Sequence, residues 1–143
     1  MSKLQKIALF NLILAAVGLL IQLVNLVTPN LLIRLFISIV TLMLCCFMIV
    51  SYFHRRKLVK HGGSQYDERD KSIHTKAAMT GLMAAFMVFF LATLIFFLGV
   101  GPGGEVKIGL VLGIFLLAAM SFFTTESAMV LIKYGGELKG ETS

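Results

Sequence analysis

Charged residues are scarce in this sequence: 14% of its 143 residues are Asp, Glu, Lys or Arg, whereas 58% are hydrophobic. A soluble domain of this length cannot bury so much apolar side chain, because its surface is large relative to its volume. The shortage of charge therefore excludes an ordinary water-soluble domain and indicates that lipid covers much of the chain. No loop is long enough to hold another folded domain, so we expect a single transmembrane domain over residues 1–143.

Cysteine is also scarce, since the two cysteines, Cys45 and Cys46, are neighbours within one apolar run. Adjacent cysteines do not form a Cys-x-x-Cys redox pair, and no further metal ligand is near them in sequence. This argues against a quinone-linked thiol oxidoreductase. We interpret both cysteines as small core residues.

Catalytic motifs are lacking as well: there is no Gly-x-Ser-x-Gly, no His-Glu-x-x-His, no phosphate-binding loop and no aspartate cluster for Mg²⁺. The three histidines, His54, His61 and His74, have spacings that match no standard ligand pattern, and none lies deep in an apolar run. We therefore expect no enzymatic activity, no catalytic residue, no cofactor and no metal site.

Four long apolar runs are what the sequence does contain, at residues 7–27, 31–53, 77–100 and 106–132. At a rise of about 1.5 Å per residue, each can cross a hydrocarbon layer roughly 30 Å thick. The runs predict an all-α integral membrane four-helix bundle made of two transmembrane hairpins. They leave a cytoplasmic loop at 54–76 and a flexible C-terminal tail at 134–143.

Lysine and arginine are distributed unevenly around these runs. Eleven of the thirteen lie in the two tails and the central loop, and only Arg34 and Lys107 lie in the other two connections. The positive-inside rule then predicts a multipass protein of the cytoplasmic (inner) membrane with both termini cytoplasmic. The net charge of +6 flanks membrane segments, so we expect the bilayer and its anionic headgroups as partners, and no nucleic acid.

Polar and small residues recur at helical spacing within the runs. Amides facing lipid are costly, so the polar stripes should turn inward, with Arg34 close enough to bond Gln22 or Asn25. Small residues four apart allow close helix packing, either within this chain or at a dimer seam. The stripes are Asn11, Ala15, Gly18, Gln22 and Asn25 in the first run; Arg34, Ser38, Thr41 and Cys45 in the second; Ala77, Gly81 and Ala85 in the third; and Gly109 and Gly113 in the fourth.

Glu126 is the one acid inside a predicted span. A buried carboxylate is costly unless it is neutralised or paired, which makes it a candidate functional acid. One hypothesis is a proton- or cation-coupled carboxylate. The alternative is a fixed structural pair with His74 or Lys76 at the start of the third span.

Met79, Met83 and Met87 form a line of thioethers with a spacing that suits Cu(I). With Gly-x-x-x-Gly, this superficially resembles the eukaryote-type copper transporters. The chain departs from them in having four spans, no Met- or His-rich external tail and no cytoplasmic Cys-His cluster. Ordinary gap filling is the preferred interpretation.

The central loop contains an ionic segment that predicts a short cytoplasmic amphipathic helix, with Ser64 as its N-cap and acids in its first turn. This helix either turns into the third span or continues as that span. It either sets helix depth or docks a partner, another membrane protein or a second copy of this chain. The candidate docking residues are Tyr66, Asp67, Glu68, Arg69, Ile73 and His74.

The string Asp67-Glu68-Arg69, Ile73, Lys76-Ala77 resembles an Asp-Glu-Arg-x-x-x-Ile-x-x-Lys-Ala signature that precedes a transmembrane helix in small prokaryotic membrane proteins containing domains of unknown function. The resemblance covers about a dozen residues and implies a prokaryotic multipass protein, but no chemistry. We expect an accessory or regulatory subunit of a membrane complex. The alternative is a small transporter using Glu126, although exporters of the small multidrug resistance type carry their carboxylate in the first span.

Overall fold

The computed structural model describes residues 3–61, 68–100 and 108–140, and these form four α-helices without a strand among them. The helices are α1 (Lys3–Val27), α2 (Leu31–His61), α3 (Glu68–Val100) and α4 (Ile108–Gly140). Each is long and apolar enough to cross a membrane. The all-α class with four candidate membrane-spanning helices is therefore confirmed.

The fourth helix is the centre of the assembly, because α4 contacts each of the other three. The third helix packs chiefly on α4, the first packs on α4 and α2, and the contact between α2 and α3 is sparse. Side-chain pairs show that α1 and α2 are antiparallel, since Asn25 meets Ser38 while Asn11 meets Ser51. In the same way α4 is antiparallel to α1 and to α3, because Gln22 meets Gly113 near one end of α4 and Asp70 meets Tyr134 near the other. The start of α1, the end of α2, the start of α3 and the end of α4 consequently share one end, here called the basic end.

The helices extend beyond the predicted spans at the basic end. The structure continues α2 to His61 and begins α3 at Glu68, so helix occupies 54–61 and 68–76 of the connection predicted between the second and third spans. At the other end of the sequence, α4 continues to Gly140, into the residues predicted as the C-terminal tail. No proline interrupts these stretches, and their Lys, Arg, Glu and Leu residues are good helix formers.

The ionic segment belongs to this longer α3. The described part, from Glu68 onward, is continuous with the third span and is not a separate helix lying across it. Acids in the first turn, Glu68 and Asp70, suit the positive end of the helix dipole. Ser64, Tyr66 and Asp67 lie outside the described residues.

A short connection after Val27 links α1 to α2. Asn30 caps α2, because its Oδ1 accepts a hydrogen bond from the Leu32 amide at 3.0 Å. Close to it, Arg34 Nε donates to the Asn25 backbone carbonyl at 3.2 Å. The cap and this bond hold the first hairpin closed at the end opposite the basic end.

Large apolar side chains face outward on all four helices, and polar side chains lie inside. The five stripe residues of α1 are all buried, as are Ser38, Thr41 and Cys45 of α2. Gln22 Nε2 donates to the Gly113 carbonyl at 3.1 Å, and Asn25 Nδ2 donates to Ser38 Oγ at 3.1 Å. This inverted distribution suits an apolar surrounding solvent, in which buried amides need internal partners.

The larger apolar cluster of the core lies between α1, α2 and α4, and a smaller one joins Ala8, Ala77 and Val130 of α1, α3 and α4. The larger cluster contains Ala15, Cys45, Met48, Leu116, Met120 and Phe123. Close packing also occurs at glycines: a Cβ built on Gly81 would lie 2.9 Å from the Phe122 carbonyl oxygen, and one on Gly18 would lie 2.7 Å from Met120. The small-residue stripe of α3 thus packs against α4.

The two glycines of the predicted Gly-x-x-x-Gly pair in α4 lie in different environments. Gly113 is buried and accepts the bond from Gln22, whereas Gly109 is exposed and a Cβ there would meet no described atom within 4 Å. Gly109 therefore takes no part in packing within the described chain. The reason is its position one turn closer to the end of α4 that is remote from the basic end.

Candidate functional site: a buried ion pair beside a cleft

The candidate site is centred on an ion pair between α2 and α4. Arg55 Nη2 donates to Glu126 Oε2 at 2.7 Å, and the side chains are 1% and 0% exposed. Ser127 Oγ lies 3.3 Å from the same carboxylate oxygen and donates to it. A pair so deeply buried must be matched in geometry, because removing either partner leaves an uncompensated charge in a low-dielectric interior.

The partner of Glu126 differs from the one expected from the sequence. Lys76 is exposed, and His74 approaches Glu126 only to 4.0 Å, measured from Nδ1 to Oε1. Arg55 makes the close contact instead. A signal for this existed in the sequence: the stripe through Ser38, Thr41 and Cys45, extended by alternating steps of three and four, reaches Met48, Tyr52, Arg55 and Val59.

Several polar atoms around the ion pair have no hydrogen-bond partner among the described residues. They are Arg55 Nε and Nη1, His74 Nε2 and Glu126 Oε1, all buried. Such a concentration of unsatisfied groups is uncommon in a folded interior. It gives this locus spare donors and one spare acceptor, which could hold water or a small polar species between α2, α3 and α4.

A second polar contact ties α3 to α4 nearer the basic end. Tyr134 donates its hydroxyl to Asp70 Oδ1 at 2.5 Å, and the Tyr134 ring lies 6.3 Å from the ring of His74. Asp70 therefore bonds across the helix interface. The Tyr134–Asp70 bond also holds the Tyr134 ring beside His74, which faces Glu126.

The candidate docking residues are divided between the surface and the interior. Glu68 and Arg69 are exposed on α3, whereas Ile73 is buried and the His74 side chain is only 10% exposed. Burial leaves Ile73 and His74 little surface for a partner, and docking through the exposed Glu68 and Arg69 stays a prediction. Tyr66 and Asp67 lie outside the described residues.

A cleft of about 620 Å³ separates α2 from α3 next to the ion pair. It exists because these two helices contact each other so little, and Phe122 of α4 closes its inner side. His74 lines the cleft and also faces Glu126, so it separates the buried pair from this opening. The lining residues are Tyr52, Arg56, Val59 and Lys60 of α2, Lys71, His74, Thr75, Ala78, Met79 and Leu82 of α3, and Phe122.

The remaining candidates for metal chemistry are dispersed. Met79, Met83 and Met87 are each more than half exposed on the outer face of α3, and Cys45 is buried while Cys46 is exposed. In the described part of the chain, no three His, Cys, Asp or Glu side chains are grouped as metal ligands. The methionine line thus belongs to the exposed apolar surface of α3.

Comparison with known proteins identifies no relative: no protein-family model, no curated protein and no solved structure matches this chain.

Proposed function

We propose that this protein is a non-enzymatic integral membrane protein that acts as an accessory or regulatory subunit of a membrane complex. It lies in the cytoplasmic membrane, with the basic end and both termini on the cytoplasmic side, where eleven of thirteen lysines and arginines would follow the positive-inside rule. The partner is another membrane protein or a second copy of this chain.

The observation that carries this proposal is the state of Glu126. A transport carboxylate must exchange its proton or cation, whereas Glu126 is fully buried and neutralised by Arg55 at 2.7 Å. An ion pair of this kind supports a fixed role in holding α2 against α4. The exposed lysines and arginines and the exposed apolar side chains of the helices then form the surfaces that contact the lipid and the partner.

One observation favours the alternative of a proton- or cation-coupled transporter. His74 lies between Glu126 and the cleft, and both residues have an unpartnered polar atom. A histidine in this position is suited to passing a proton between a carboxylate and an opening. Exchange would require the Arg55–Glu126 contact to break during each cycle.

Extraction from the native membrane tests the subunit proposal. The full chain with a C-terminal affinity tag, isolated in a mild detergent after brief cross-linking, is expected to appear in one defined assembly by native mass spectrometry. An unrelated four-span protein at equal expression controls for nonspecific capture. A clean monomer without a defined partner contradicts the proposal.

Substitution at Glu126 separates the two functions. Glu126→Gln in the subunit case lowers thermal stability and yields vesicles with the same proton and cation permeability as wild-type vesicles. In the transporter case, wild-type vesicles carry a coupled flux, and Glu126→Gln abolishes it. The second result would replace the proposal with its alternative.

A further inference from the structure

We propose that the cleft between α2 and α3 is a binding site for one anionic phospholipid. The headgroup phosphate of this lipid lies against Arg56, Lys60 and Lys71. One acyl chain runs along the apolar part of the cleft, away from the basic end and towards Leu82. This site rests on the membrane insertion proposed above, but not on the subunit role, because the argument uses only the shape and charge of the cleft and its depth in the bilayer.

The charge of the cleft favours an anion. Arg56 and Lys60 are four residues apart on one face of α2, and Lys71 faces them from α3. All three are exposed, and none forms an ion pair with a described residue. Among the described residues that line the cleft there is no carboxylate, so none of them neutralises the three cations.

The polarity of the wall changes along the helix axis. Lys71 is near the start of α3, whereas Ala78, Met79 and Leu82 follow about two to three turns further from the basic end. On α2 the order runs from Lys60 through Arg56 to Tyr52, in the same direction along the bundle. The cleft is therefore cationic at the basic end and apolar further in, which matches a phospholipid entering with its head at the surface.

The dimensions suit one leaflet. Lys71 and Leu82 are eleven residues apart, which is about 16 Å along a helix. Half of a hydrocarbon core is about 15 Å. Met79 and Leu82 are 62% and 65% exposed, so the inner wall opens sideways and an acyl chain can enter from the bilayer.

The absence of tryptophan from the sequence allows a direct test. Tyr52→Trp puts a single indole on the cleft wall, and Phe10→Trp puts one on the exposed face of α1 as the reporter outside the cleft. Each full-length variant is reconstituted in phosphatidylcholine vesicles, and fluorescence is quenched by brominated phosphatidylglycerol or brominated phosphatidylcholine. The ratio of the two quenching constants measures preference for the anionic lipid.

The matched controls are two triple substitutions that remove the same charge. Arg56→Gln, Lys60→Gln and Lys71→Gln neutralise the cleft, while Lys6→Gln, Lys57→Gln and Lys76→Gln neutralise exposed bases that do not line it. Both are compared in the Tyr52→Trp background after their helix content and unfolding temperatures are shown to equal those of the parent. If the triple variant of the cleft does not fold, the single variant Lys71→Gln replaces it, and Lys76→Gln is then its control.

At position 52 we expect a preference for phosphatidylglycerol of at least about fivefold, because one base near an anionic surface contributes a factor of about five. The triple substitution in the cleft should remove most of this preference, and the triple substitution outside the cleft should keep most of it. The tryptophan at position 10 should show little preference for phosphatidylglycerol. Equal preference at positions 52 and 10, equal effects of the two triples, or equal quenching by both lipids would overturn the site. Displacement of the brominated lipid by millimolar glycerol phosphate or inorganic phosphate would also overturn it, since the ligand would then be a free phosphate.

Discussion

The hydroxyl of Tyr134 and the carboxylate of Asp70 meet at 2.5 Å, so the last turns of α4 are joined to the first turn of α3. This bond lies on the basic-end side of the Arg55–Glu126 pair and beside His74. Three helices are consequently connected by polar contacts within a short distance of the cleft. We call this region, formed by Arg55, Asp70, His74, Glu126 and Tyr134, the polar joint.

Removal of the Tyr134 hydroxyl should weaken this joint. We expect Tyr134→Phe to lower the free energy of unfolding by about 1–2 kcal/mol, because the bond has a charged acceptor and is partly buried. Titration with sodium dodecyl sulfate in mixed micelles, followed by circular dichroism, measures the change. Tyr52→Phe is the matched control, since the Tyr52 hydroxyl bonds to no described residue, and an equal loss in both variants would contradict the assignment.

A double-mutant cycle at the ion pair should show strong coupling. Glu126→Leu or Arg55→Met alone is expected to cost about 3–5 kcal/mol, because each leaves a buried charge without its partner. The combined variant should recover much of that loss, since it leaves neither charge behind. The same denaturation assay gives all four free energies, and simple additivity of the two single losses would mean that the side chains are not paired.

Glycine substitutions should separate three packing environments. Gly81→Ala is expected to cost about 1–3 kcal/mol, since its Cβ would lie 2.9 Å from the Phe122 backbone oxygen. Gly18→Ala should cost less, because the atoms in its way belong to the flexible Met120 side chain. Gly99→Ala, with no described atom within 4 Å of the added carbon, should be neutral or slightly stabilising.

Substitution of the exposed Gly109 tests whether small residues of α4 form a seam between copies of the chain. If Gly109→Leu leaves the stability intact but shifts the oligomer to monomer in native mass spectrometry, the exposed Gly109 belongs to a seam between copies. If neither the stability nor the oligomeric state changes, the Gly109–Gly113 pair acts only in packing within the chain, and it does so through Gly113. A loss of stability comparable to that of Gly81→Ala would contradict the exposed position of Gly109.

Membrane topology has a direct test. Reporter tags inserted after Asn30 and after Gly63 should respond as though they lie on opposite sides of the bilayer, with the second on the cytoplasmic side. Alkaline phosphatase and green fluorescent protein fusions at the two points report the sides independently. Equal responses at both positions would contradict the two-hairpin arrangement.

The sequence by itself determined the four apolar helices and the inward face of α1, where all five members of the polar and small stripe are buried. Both follow from local physics: length and apolarity select a spanning helix, and helical periodicity selects a face. The partner of Glu126 was decided only by the tertiary structure. Three adjacent bases, Arg55, Arg56 and Lys57, were available, and the rotation of α2 against α4 turned the first one inward.

The ends of the helices and the cleft were likewise decided by tertiary structure. Charged residues after Phe53 are compatible with either a loop or a helix, and the continuous backbone ladder of α2 settles that choice. The cleft arises because α3 packs on α4 while barely touching α2. Periodicity describes which face of one helix is apolar, but the spacing between two helices depends on how both pack against a third.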